Sequence, residues 1–334
     1  MSYEVSLSRI LGTSQQNLLL ATIHKLGSAF LRQRGYSWEV RRNGDLKIGL
    51  WRKIYKSRPS NSSYPKRFVL IPGFGDTPLS WNATVTLLQP VLRSQFDEII
   101  LVDFPGFSGF LAEEKVFPSI DLLLTHLGDT LDSLKPHTIF GHSLGGFLTA
   151  HYLSKCGKGE RPVTNRLNYS GPERGILACP SGIFVDETQK SVWLSTVKMA
   201  GMVGLPAFRN HLFAKEPLWF PLIASAYHRF LKREDVIQFA QSYRDHLAVE
   251  SVLGQIRSEV CLIWGEKDSL TPANALPNWL ESLNKSCNGV VLKNCGHSIH
   301  FEAPAVTATI LAQLLLGRRP SERGGRWWKV ISKG

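Results

Sequence analysis

The feature that most limits the fold of this chain is a hexapeptide, Gly141-His142-Ser143-Leu144-Gly145-Gly146, set between a short apolar run and a helical one. It matches Gly-x-Ser-x-Gly. Such a segment turns sharply from strand to helix, because glycines occupy the positions where side chains would collide. The turn lifts the serine hydroxyl clear of the sheet. It therefore presupposes a sheet, with further strands beside this one.

The rest of the chain supplies them. Residues 68–71, 99–102, 138–140, 175–178, 260–264 and 290–292 are short apolar runs, as expected of strands covered on both faces. Helical stretches over 79–92, 120–134, 144–153, 273–284 and 302–316 lie between and after them. Upstream, residues 38–41 and 46–50 alternate apolar and polar side chains around Asn43-Gly44, which predicts a hairpin. Residues 56–66 read as a polar loop. Strands alternating with helices predict an α/β chain with a mostly parallel central sheet and helices on both faces. Between 184 and 250 the strand signal stops, and short helices broken by Gly204, Pro206, Pro217 and Pro221 are expected. The expected organisation is an N-terminal amphipathic helical extension over 1–35, a core over 36–183 and 251–316, a helical cap over 184–250, and a basic, partly ordered C-terminal tail over 317–334.

A serine hydroxyl is a weak nucleophile at neutral pH. It needs a base, and the base needs an orienting carboxylate. Strand 260–264 runs into a loop carrying Asp268, and strand 290–292 into a loop carrying His297. Ser143, Asp268 and His297 would then sit at the carboxyl ends of parallel strands, the edge where open α/β sheets build their sites. His297 is preferred over His142 and His300 because it closely follows a strand and directly follows a glycine. His300 is expected to support by hydrogen bonding. Asp268 is preferred over Asp186, and Asp76 and Asp103 read as loop-shaping residues.

On the motifs Ile71-Pro-Gly-Phe-Gly-Asp76, Asp103-Phe-Pro-Gly-Phe-Ser108, Gly141-His-Ser-Leu-Gly-Gly146, Trp264-Gly-Glu-Lys-Asp268 and Gly296-His-Ser-Ile-His-Phe-Glu-Ala-Pro304, the chain resembles the α/β-hydrolase superfamily over roughly residues 36–316. It is similar to the lipase, esterase and carbon–carbon hydrolase branch, monoacylglycerol-lipase-like members included. One departure is Pro72-Gly73, where the family often has His-Gly. The resemblance implies an α/β-hydrolase fold with a helical cap. It implies an oxyanion hole from the backbone N–H groups of Phe74 and Leu144. The expected activity is cleavage of carboxylic esters through an acyl-enzyme. A carbon–carbon hydrolase or acyltransferase with the same triad is the alternative, and a non-catalytic binding protein a more distant one. Serine at 143, in place of aspartate, excludes dehalogenase and epoxide-hydrolase routes. There is no His-Glu-x-x-His, no Cys-x-x-Cys and no Gly-x-Gly-x-x-Gly opening a helix, so no metal, nicotinamide or flavin cofactor is expected.

Residues 191–231 hold seven aromatics, Trp193, Phe208, Phe213, Trp219, Phe220, Tyr227 and Phe230, and few charges. Most are expected to pack the cap, and the pocket beneath should be apolar, suited to an acyl chain or aromatic ester. The net charge of +12 sits at the ends: 13 Lys/Arg against 3 Asp/Glu over 1–67, 6 against 1 over 317–334, and 20 against 23 between. Nothing there indicates nucleic acid. Leu19, Ile23, Leu26 and Phe30 follow helical spacing, and Trp327-Trp328 stands beside Arg323, Arg326 and Lys329. Both ends fit an anionic membrane surface, while the plainer reading packs the helix on the body and leaves the tail as a solubiliser. The apolar stretch 18–23 is far short of the ~20 residues of a membrane span and makes a poor secretory signal. Five scattered cysteines fit a reducing compartment, so a cytoplasmic protein is expected, with peripheral membrane contact as the alternative for its ends.

Overall fold

The computed structural model describes residues 22, 25–43, 46–55, 64–104, 119–159, 169–244, 249–283, 287–320 and 325–332. One nine-stranded sheet runs through it in the order β1-β2-β4-β3-β5-β6-β7-β8-β9. The hairpin of β1 (Ser37–Asn43) and β2 (Leu46–Ile54) forms one margin, with β2 antiparallel to β4 (Glu98–Asp103). From β4 through β3 (Arg67–Ile71), β5 (Thr138–His142), β6 (Arg174–Ala178) and β7 (Glu259–Gly265) to β8 (Asn288–Leu292), every pair is parallel. β4 is buried along its whole length, and β3, β5, β6, β7 and β8 along all or nearly all of theirs, so their apolar runs carry no polar alternation.

The parallel strands need crossover helices, and right-handed crossovers cover both faces. Residues 25–33 form α1. α2 (Asn82–Gln95) packs against α12 (Pro304–Leu315). α3 (Ile120–Leu134), capped by Ser119, packs on α4 (Leu144–Lys158), and α4 on α9 (Glu250–Leu253). α10 (Leu276–Ser282) crosses from β7 to β8. Burying these apolar faces contributes roughly 25 cal/mol per Å² removed from water.

Between β6 and α9 the chain makes four helices: α5 (Glu187–Val203), α6 (Leu205–Leu212), α7 (Pro221–Leu231) and α8 (Glu234–Arg244). Pro206 and Pro221 were expected to break helices here. The helices do break there, and Pro206 and Pro221 stand just past the breaks in the first turns of α6 and α7, where the missing N–H has no intrahelical partner to lose. Phe208, Phe213 and Phe220 are buried in a cluster of their own with Leu205, Leu212, Ala224 and Leu231.

Two expectations about the ends need correcting. Residues 328–332, read as part of a basic tail, form β9 (Trp328–Ser332), antiparallel to β8. Trp328 is buried and Trp327 stays exposed, so the pair does not act as one surface feature. The apolar stripe expected at Leu19, Ile23, Leu26 and Phe30 also shifts. Leu19 and Ile23 lie outside the described residues, Leu26 is 64% exposed, and Leu31 is the residue buried in the core. Arg34, just past α1, lies over the Phe30 ring and hydrogen-bonds Thr86 on α2. No helix among the described residues is long and apolar enough to cross a membrane.

Candidate active site

Register fixes the site. Ile71 pairs with Gly141, His142 with Ala178, Ala178 with Ile263, and Gly265 with Leu292, so the strands end at one common edge. The residues that follow those ends are Phe74, Ser143, Cys179, Asp268 and His297.

Ser143 stands between β5 and α4 at φ 52°, ψ −116°, a region L-residues rarely adopt. Its N–H donates to Ala178 O at 2.9 Å and its carbonyl accepts from Phe147 N at 3.1 Å, which anchors the turn to β6 and to the helix. The flanking glycines are steric necessities. A Cβ on Gly141 would stand 2.3 Å from Gly145 O, and one on Gly145 2.3 Å from Ile71 O. Leu144 begins α4, so its N–H is among those a helix start leaves without an internal partner.

His297 Nδ1 lies 2.9 Å from Asp268 Oδ2, both residues being buried. Asp268 Oδ1 accepts from the N–H groups of Leu270 and Thr271, each at 2.9 Å, and Oδ2 also takes the Thr271 hydroxyl at 2.9 Å. The carboxylate is thus held from several sides and faces the imidazole with a fixed lone pair. The loops of Asp268 and His297 are stitched together as well: Glu266 N donates to Leu292 O and Lys267 N to Cys295 O, each at 2.8 Å. Ser143 Oγ makes no hydrogen bond to His297 in this state; such contacts often form only with substrate bound.

The rivals fall elsewhere. Asp186 is exposed, and its carboxylate accepts from Gln189 N at 2.7 Å at the start of α5. Asp76 shapes its loop as expected, accepting from Thr77 N and Trp81 Nε1, each at 2.9 Å, and from Ser80 Oγ. His300 was expected to be a hydrogen bonder. It stacks on Trp81 at 4.3 Å, and neither of its ring nitrogens has a hydrogen-bond partner. Burial pushes the imidazoles of His142 and His300 well below the usual histidine range and raises the Asp76 carboxyl.

Three contributors were not singled out from the sequence. Thr271 bridges Asp268, the Cys179 carbonyl at 3.0 Å and His297 Nδ1 at 3.2 Å. Glu302, part of the quoted His297 segment, takes Gly296 N at 2.9 Å, Ala214 N at 2.8 Å and Lys215 N at 3.0 Å. It therefore ties the loop of His297 to the α6–α7 connection, where Ser298 N also donates to Leu212 O at 3.0 Å. Tyr227 Oη donates to Phe74 O at 3.3 Å. The Phe74 ring stacks on Phe239 at 5.6 Å and lies 5.5 Å from Phe230. Phe74, Leu270 and Phe301, from the loops of the oxyanion, acid and base candidates, all pack on the apolar cluster of α6 and α7.

The description "Alpha/beta hydrolase family" belongs to the family model that matches residues 68–310. Monoacylglycerol lipase ABHD6 of Bos taurus is 21% identical over 305 residues, covering 84% of this chain and 86% of its own. The human protein of that name is 21% identical over 284 residues, covering 78% and 77%. Among solved structures, a membrane phospholipase A described as a bacterial virulence factor superposes with a TM-score of 0.63 at 19% identity, covering 90% and 91%. An esterase from Exiguobacterium antarcticum gives 0.60 at 17% identity, covering 84% and 100%.

Proposed function

Because the chain belongs to the α/β hydrolase family, we propose that it cleaves carboxylic esters with an apolar acyl group, using Ser143, His297 and Asp268. The observation that carries the reading is the His297–Asp268 hydrogen bond at the strand edge where Ser143 sits on its strained turn. With Nδ1 committed to Asp268, Nε2 of His297 is the atom that takes a proton. Ser143 Oγ attacks the ester carbonyl and passes its proton to His297. The backbone N–H groups of Leu144 and Phe74 hold the oxyanion, a contribution of roughly 3 kcal/mol per donor. Collapse of the tetrahedral species expels the alcohol, which leaves with the proton from His297. Water then releases the acid by the same steps. The lipase names of the relatives and the aromatic contacts of Phe74 support an apolar acyl group, with α5–α8 acting as a cap over the serine.

A fluorophosphonate probe and a p-nitrophenyl ester series of increasing acyl length test this. The native protein should label and hydrolyse, with a preference for medium or longer chains. Ser143→Ala should lose both by at least about 10³-fold. Labelling that persists in Ser143→Ala removes the assignment. Faster turnover of a vinylogous diketone than of any ester moves the protein to carbon–carbon hydrolysis.

The basic ends deliver this chemistry to lipid. Sedimentation with anionic vesicles should exceed that with neutral ones, and should weaken with salt and on neutralising Arg318, Arg319 and Arg326, each contributing about 1 kcal/mol near the surface. These substitutions leave β9 in place, which deletion of 318–334 would not. Equal recovery in the supernatant for both vesicle types removes the membrane contact and leaves the catalytic reading untouched.

A further inference from the structure

Three side chains that the proposed chemistry does not use converge behind Ser143. Asp76 comes from the β3–α2 loop, His142 from the end of β5, and His300 from α11 (Ile299–Glu302). Asp76 Oδ2 lies 3.9 Å from His142 Nδ1 and 3.5 Å from His300 Nε2. One ligating atom from each residue lies within 4.8 Å of the other two.

Protonation sharpens the picture. His142 Nε2 lies 3.1 Å from the backbone carbonyl of His297. A carbonyl can only accept, so Nε2 carries the proton and Nδ1 keeps its lone pair. That lone pair has no hydrogen-bond partner, nor has either nitrogen of His300. Both histidines are nearly wholly buried, at 3% and 2% exposure. The donors that Asp76 does have, Thr77, Ser80 and Trp81, come from its own loop and helix start. What faces His142 Nδ1 is a carboxylate oxygen at 3.9 Å, and two buried lone pairs turned on one another are unfavourable unless a proton or a cation lies between them.

We infer that Asp76, His142 and His300 form a site for a borderline divalent transition metal, zinc being the type. Two imidazoles and a carboxylate are a donor set such ions favour. Metal bonds of about 2.0–2.1 Å in a tetrahedral site set ligand atoms about 3.3 Å apart. The Asp76–His300 pair is near that already, and His142 needs a small inward shift. Gly73 passes close beside its Nδ1, where a Cβ would stand 2.9 Å from that nitrogen, so no side chain from position 73 competes for the lone pair. Trp81 fixes the His300 ring by stacking and holds Asp76 through its indole N–H, as outer partners of metal ligands do. The ion would bind the far side of His142 while Nε2–H stays on the His297 carbonyl, steadying the backbone of the proposed base from behind. Positions 76, 142 and 300 share no local spacing, so no sequence motif announces the group.

The experiment uses the full chain, stripped with a chelator and then desalted from excess zinc. The native protein should retain one equivalent, and cobalt in its place should give the strong visible bands of a four-coordinate site. Zinc should raise the melting temperature with concentration, as mass action requires. His300→Phe keeps an aromatic ring against Trp81 and removes a ligand, and Asp76→Asn removes the charge. Each should weaken binding by about tenfold or more, with melting in chelator verifying that the variant is folded. A native protein that retains no zinc and shows no cobalt bands overturns the site, as does native-like uptake by folded His300→Phe or Asp76→Asn. Loss of the metal in Cys179→Ser alone also overturns it. That result would move the ion to Cys179, His142 and His297, whose ligating atoms also lie within 4.8 Å of one another. None of these readouts depends on ester cleavage.

Discussion

Ser143 holds a backbone conformation that only glycine adopts without penalty, and the cost is of order 1–3 kcal/mol. Hydrogen bonds to Ala178 and Phe147 and the packing of two glycines keep it there. Replacing the serine by glycine separates the two roles of the position. Ser143→Gly should abolish ester cleavage and, after the entropy cost of glycine is subtracted, raise stability by about 1 kcal/mol, read from denaturant midpoints. An unchanged or lower midpoint would show that the turn is not strained. Ser143, Asp268 and His297 could be picked out in the sequence as candidates because each follows an apolar strand run at a short distance, and Asp268 and His297 do meet in a hydrogen bond. Thr271 was not legible, since its part rests on contacts with Cys179 and His297 that no local pattern encodes. His300 misled for the same reason: its sequence neighbourhood suggested a hydrogen bonder, and Trp81, far away in the chain, made it a stacked ring.

Among the elements, α6 and the loop of His297 are coupled by one carboxylate. Glu302 accepts three backbone N–H groups, two from the α6–α7 connection and one from Gly296 beside the proposed base. Burial raises its pKa, against the pull of those donors. Glu302→Gln preserves shape and turns half of the acceptor into a donor facing donors. The variant should lose roughly 2 kcal/mol of stability and drop in kcat about tenfold with KM little changed, because His297 loses its placement before the acyl pocket is affected. A change confined to KM would assign Glu302 to substrate binding instead. The interior strands were readable because burial on both faces makes them continuously apolar. β9 was not, because Lys329 and neighbouring arginines mask five residues whose strand character comes from pairing with β8. Pro206 and Pro221 were readable as marks of breaks, and each marks one by opening the next helix in its first turn.

Across the molecule, basic charge is not simply spread on the outside. Glu98 on β4 is buried between Arg52, at 2.6 Å, and Arg67, at 2.7 Å. Burial alone would raise its pKa, but the hydrogen bonds and charges of Arg52 and Arg67 outweigh it, and the net direction is down. A carboxyl depressed in the folded state contributes stability above its unfolded value, and that contribution fades as pH falls through the folded value. Chemical denaturation from neutral to acid pH should show this loss. Glu98→Gln should be less stable than the native protein by roughly 2 kcal/mol at neutral pH, with the gap closing in acid. A gap constant with pH would mean that the charge on Glu98 does not matter. The same sheet that gathers its charges around β4 also carries them at its limits. Its parallel interior ends on one side in β1, with Glu39, Arg41 and Arg42, and on the other in β9, with Lys329. An unpaired outer strand is a template on which a second molecule can continue the ladder, and like charges facing one another across such a junction oppose it. Charges at the two margins would then oppose stacking of copies side by side, and crowding or salt that mutes them should weaken that opposition at both borders together.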